Sequence, residues 1–295
     1  MSSRNGSILG VEKIADNGPG ASRWDLVVMG DGYRAGEIGQ YRQDVDGVTN
    51  AIFSTAPFDQ LRGAINVHRV DVASDESGAG DLCSGVERAT FFDSKFCVNR
   101  IDRLLVSDDE VALDVAIEAV PQMNAAIIVV NSTTYGGSGG AVPVFSLAEG
   151  AFEIALHEMG HSHFGLADEY PFLLDCHEEG HARYRGPEPV EPNVTATLAP
   201  LKWGQLLTSG VSVPTTRNAN CEDCDQQPNP ASGETVGAYE GARYFRCGIF
   251  RPQYGCRMRA LGAPFCAVCQ ESITRVLSPF LPPTLLAGKR RSVRH

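Results

Sequence analysis

The chain has 295 residues, 43% of them hydrophobic and 21% charged, which is enough for one large domain or two small ones around a buried core. A formal net charge of −11 argues against nucleic acid or an anionic membrane surface as the main partner, since both require a basic face. No apolar run approaches the roughly 20 residues that cross a bilayer, so a soluble chain with no membrane partner is expected.

The opening segment, MSSRNGSILGVEKIADNGPG, lacks the apolar centre of a secretory signal, so the chain either stays inside the cell or is given without its signal. WDLVVMGDGY reads as a buried strand ending in a glycine turn, and Ala35 to Phe58 as a helix entered from that turn. INVHRVDVAS alternates apolar and polar residues like a half-buried strand. After a loop rich in Gly, Asp and Cys, Asp108 to Val120 reads as an amphipathic helix and AAIIVVN as a second buried strand. This is α/β architecture. The glycine cluster TYGGSGG then releases the chain into AVPVFSL, where Pro143 within a strand-like run predicts an edge strand on which an extended peptide can add. From Leu147 to about Phe164 an apolar-periodic helix is predicted.

Beyond Tyr170 prolines, acids and glycines dominate as far as about Tyr239, with LKWGQLL the one plausible short helix. Such a stretch is too long for a structureless connection, so its cysteines are expected to tie it down or it forms a subdomain of its own. ESITRVL reads as a final helix stopped before Pro279. The predicted division is therefore residues 1–170 as a part built on the sheet and the helix ending near Phe164, and 171–295 as a loop- and cysteine-rich part with the final helix.

The chain holds nine cysteines, six of them between Cys221 and Cys269. Cys221-x-x-Cys224 and Cys266-x-x-Cys269 fit four zinc thiolates or parts of a disulfide set, and the sequence leaves both open. Cys83 and Cys97 flank a polar loop and can form another bridge.

The chemistry concentrates in HEMGHSHFGLADEY, His157 to Tyr170. Residues four apart on a helix are separated by about 400° of rotation, so His157 and His161 project from nearly one face, where two imidazoles can grip one zinc ion. Glu158, rotated by about 100° from its neighbour, can reach a water in the metal's open position and act as general base. His163 points to the other side and reads as a packing or surface histidine. Zinc in a hydrolase needs a third protein ligand. Gly165 can take the left-handed conformation that ends a helix, and Asp168, three residues later, occupies the ligand's place, with Glu169 as the lesser choice. A second match, HEEGH at His177 to His181, has no apolar periodicity and runs into a proline-rich stretch, so the first match is the expected site.

These residues resemble the IgA-peptidase family of bacterial zinc metallopeptidases, a metzincin-like group. The resemblance is carried by VVMGDGY, HEMGHSHFGLADEY, PNVTATLAPLKWGQLL and GAYEGARYFRCGIFRPQYGCRMRALGAPFCAVC, which together span about residues 25 to 280. It implies a zinc endopeptidase of metzincin-like α/β (α+β) fold, with a twisted mixed sheet, an active-site helix and a loop-rich lower part. It implies His157, His161 and Asp168 as metal ligands, Glu158 as base, and Met258 at the methionine turn beneath the metal. It further implies protein or peptide substrates and favours secretion, while the oligomeric state stays open. Tyr244, Tyr254 and Arg257 are candidate oxyanion donors near that turn. The alternative is a non-catalytic binding protein stabilised by zinc or disulfides.

Overall fold

The computed structural model describes residues 4–172, 181–222 and 233–283. These fall into two compact units, the first made of residues up to 163 together with those from 275 onward, the second of residues 164–274. Among the described residues no helix is long and apolar enough to cross a membrane.

The first unit is mixed α/β. Its elements run β1 (Gly6–Ala15), β2 (Trp24–Asp31), α1 (Ile38–Phe53), the single turn α2 (Phe58–Leu61), β3 (Ile65–Ser74), the short β4 (Gly80–Asp81) and β5 (Lys95–Phe96), α3 (Asp109–Ala119), β6 (Ala125–Val130), β7 (Gly137–Ser138), β8 (Val144–Ser146) and α4 (Ala151–Phe164). Six of the strands form one sheet in the order β1-β3-β2-β6-β8-β7. The four inner strands are parallel and the outer two antiparallel to their neighbours. β2 and β6 are buried along their whole lengths, as their uninterrupted apolar sequences require of central parallel strands. Val27, Met29, Ile128 and Val130 pack there with Val111 and Val115 of α3 in one apolar cluster. The Asp108 carboxylate accepts from the Val111 amide at 3.1 Å and so caps α3.

Three expectations change. β3 is buried at all ten positions, not half-buried. Its polar side chains are paired inside: His68 Nε2 lies 2.6 Å from Asp25 Oδ1, Asn66 donates to the same oxygen at 3.0 Å, and Arg69 donates to Asp71 at 2.7 Å. The first long helix ends at Phe53, five residues before the predicted Phe58. Ser54 and Thr55 turn their hydroxyls onto the carbonyls of Asn50 and Ala51, and Pro57 cannot continue the helical ladder. The strand in AVPVFSL is no edge: β8 lies between β6 and β7, with Pro143 just ahead of its first residue. The outer strand β7 is itself bridged to Leu104 at Gly137.

The glycine turn after β2 is real. Gly32 has φ +69°, and a side chain there would run into the Gly78 carbonyl.

The second unit has little regular structure: the ribbon β9 (Tyr239–Ala242) and β10 (Phe245–Arg251), then α5 (Ala267–Leu277), whose last residues belong to the first unit. LKWGQLL yields only a short 3-10 turn at Gly204–Leu206. One apolar cluster joins Ala167, Val194, Ala242 and Ile249, and Trp203, Phe250, Met258, Phe265 and Ile273 are buried besides. Buried polar bonds add to this: Trp203 donates to the Gly237 carbonyl at 2.6 Å and Arg251 to the Glu240 carbonyl at 3.0 Å.

Cysteines 83 and 97 form a disulfide, as do 221 and 247. The second bridge rules out Cys221 as a thiolate in a four-cysteine zinc site with Cys266 and Cys269. Cys176 and Cys224 lie outside the described residues.

Candidate metal centre

α4 carries the first histidine pair. Its apolar positions Ile154, Ala155, Leu156 and Met159 are buried, with Ile154 beside Gly137 of β7, and their burial decides where the intervening polar residues point. His157 is buried and His161 partly so, and their Nε2 atoms lie 3.1 Å apart with the rings nearly perpendicular. Two nitrogens bound to one tetrahedral zinc at about 2.05 Å each would lie about 3.3 Å apart, so this pair fits the ion. The one-turn spacing has done what the rotation predicts.

Glu158 faces the glycine loop between β7 and β8. A side chain at Gly139 would collide with Glu158 Oε2, so the backbone there passes directly against the carboxylate. His163 points elsewhere, as expected: its ring stands edge-on to Trp24 at 6.0 Å, and burial lowers its pKa to about 4.

In the second unit, Gly165 has φ +63°, the left-handed cap predicted to end the helix. Asp168 is buried, and the Tyr244 hydroxyl donates to its Oδ2. The Arg243 amide donates to the Asp168 carbonyl at 3.0 Å. Tyr244 is therefore a partner of the Asp168 carboxylate. Of the other two candidate donors, Tyr254 packs against Arg251 and Arg259, while Arg257 lies over the Phe265 ring at 5.1 Å.

Glu169 turns away from that pair. Its Oε1 accepts from Asn193 Nδ2 at 2.9 Å and lies near the sulfurs of Cys266 and Cys269, so neighbouring acids are committed to different surroundings. Asn193 also bonds both the amide and the carbonyl of Ala167, at 2.8 Å each, and so fixes the segment that carries Asp168. Neither role is readable from spacing, because Asn193 lies far along the chain; its only signal is its place in PNVTAT.

Met258 is fully buried in a turn where the amides of Arg259 and Ala260 both donate to the Cys256 carbonyl, and its own carbonyl accepts from Glu169 at 2.7 Å. Of the downstream match, His181 donates from Nδ1 to the Tyr244 carbonyl at 2.9 Å and stacks on Phe245. His177 lies outside the described residues.

A family model described as IgA Peptidase M64 matches residues 12–225 and 217–277. No curated protein matches the chain.

Proposed function

The chain belongs to the IgA peptidase M64 family and is thus a peptidase acting on proteins or peptides, and from that premise we propose that it is a zinc-dependent endopeptidase of metzincin-like design. His157, His161 and Asp168 hold the ion in this reading, and Glu158 is the general base. The observation that carries it is the convergence of His157 Nε2 and His161 Nε2 at 3.1 Å on a buried helix, with Glu158 between them in sequence.

Zinc, when bound, supplies Lewis acidity that acidifies water and polarises a substrate carbonyl. The chain's own residues do the rest. Glu158 takes a proton from the attacking water and returns it to the leaving amine, a role that needs a carboxylate kept near the reacting atoms. The glycine loop at Gly139 lets that carboxylate sit against backbone rather than against a side chain. Tyr244 orients the Asp168 carboxylate through its hydroxyl, the kind of outer hydrogen bond that fixes a ligand's direction. Met258 gives the turn beside Glu169 an apolar, buried centre.

The test is digestion of a broad peptide library by the purified chain. Cleavage that stops with a chelator and returns with added zinc is expected. Cleavage indifferent to the chelator, or none from zinc-loaded protein, would overturn the reading.

A further inference from the structure

We propose that Cys256, Cys266, Cys269 and Glu169 form a second, structural zinc site within residues 164–274, separate from the histidine pair on α4. All four side chains are buried, and their donor atoms lie within 4.8 Å of one another. None of the three cysteines is in a disulfide, in contrast to Cys83, Cys97, Cys221 and Cys247.

The distances match a tetrahedron. With zinc–sulfur bonds of about 2.3 Å and a zinc–oxygen bond of about 2.1 Å, the sulfur–sulfur edge is about 3.8 Å and the sulfur–oxygen edge about 3.6 Å. Cys256 Sγ and Cys269 Sγ are 3.7 Å apart, and Glu169 Oε1 lies 3.7 Å from Cys266 Sγ and 3.4 Å from Cys269 Sγ. Thiol packing imposes no such set of edges on four groups drawn from three separate segments.

The surroundings suit thiolates and a bound cation. The Cys266 amide points at Cys256 Sγ at 3.3 Å and the Cys269 amide at Cys266 Sγ at 3.5 Å, and the last two cysteines sit at the start of α5, where amide dipoles favour negative sulfur. Asn193 orients Glu169 from outside the cluster. Glu169 Oε2 has no hydrogen-bond partner among the described residues, and a buried carboxylate oxygen left so is costly unless a cation lies beside it. Three soft sulfurs and one oxygen in a closed arrangement select zinc over calcium or magnesium.

Its role follows from what it joins. Glu169 follows Asp168, Cys256 opens the turn that carries Met258, and Cys266 and Cys269 begin α5. The ion would cross-link these segments, which also meet through backbone bonds from the Glu169 amide to the Met258 carbonyl at 2.7 Å and from the Arg257 amide to the Pro264 carbonyl at 2.9 Å.

The experiment is zinc analysis and X-ray absorption on the full chain, purified without chelator or histidine tag, as wild type, as the double variant His157→Ala/His161→Ala, and as Cys266→Ser. Two zinc ions per chain are expected in the wild type. The double variant should keep one, with a sulfur-dominated shell at about 2.3 Å. Cys266→Ser should lose that ion and its sulfur shell. Should Cys266→Ser fail to fold, the first two proteins decide alone. A double variant free of metal, a wild-type spectrum without sulfur, or a disulfide among the three cysteines by mass spectrometry would overturn the proposal. Because the double variant lacks the histidine pair, its result stands whether or not the catalytic reading holds.

Discussion

The two units are built on different principles. The first is held by apolar burial: β2 and β6 are buried at every residue and pack with α3 in one large cluster. The second has little regular structure, and beside its buried apolar side chains it carries a disulfide, buried arginines and an asparagine clamp. A sheet core spreads its stability over many side chains, whereas a loop-rich unit adds to its apolar burial a few polar and sulfur groups that join distant segments.

Substitutions can break or sharpen this contrast. The largest effect is expected from Glu158→Gln, which should lower kcat/KM by about 10²- to 10⁴-fold with no change in the thermal midpoint, because it removes a proton carrier and no packing. Peptide hydrolysis and calorimetry on one preparation check both parts; an active variant removes Glu158 from the mechanism. Next comes Ile128→Ala in the sheet core, which should destabilise by about 2–5 kcal/mol in denaturant unfolding through the cavity it leaves. A loss below 1 kcal/mol would mean that the first unit does not depend on its sheet core as described.

Asn193→Ala tests the opposite principle. It strips partners from the amide and carbonyl of Ala167 and from Glu169, and should cost about 1–3 kcal/mol although it deletes almost no apolar surface. A neutral result would show that buried polar bonds do not hold the second unit. The smallest effect, about 1 kcal/mol, is expected from Asp108→Ala, which removes the cap of α3 and leaves its apolar face intact. A shift in the urea midpoint measures it.

The same contrast explains what could be read in advance. β2, β6 and α3 are legible because burial on both faces, or on one face of a helix, writes a local pattern. β3 misled because His68, Arg69 and Asp71 look solvent-facing, yet each finds a charged or polar partner that only the assembled sheet supplies. Of the site, the His157 and His161 convergence follows from helical rotation alone, and Gly165 announces the cap by its residue type. Tyr244 on Asp168, Asn193 on Ala167 and the pairing of Cys221 with Cys247 join residues distant in sequence. Cysteine spacing does not determine pairing, so the joining of Cys266 and Cys269 with Cys256 and Glu169 rather than with Cys221 needed the fold.

Anomalous diffraction at the zinc edge from crystals of the zinc-loaded chain tests the central claim most directly. A strong peak bonded to His157 Nε2, His161 Nε2 and a carboxylate oxygen of Asp168 is predicted. No peak on that pair, or a peak held instead by His177 and His181, would contradict it.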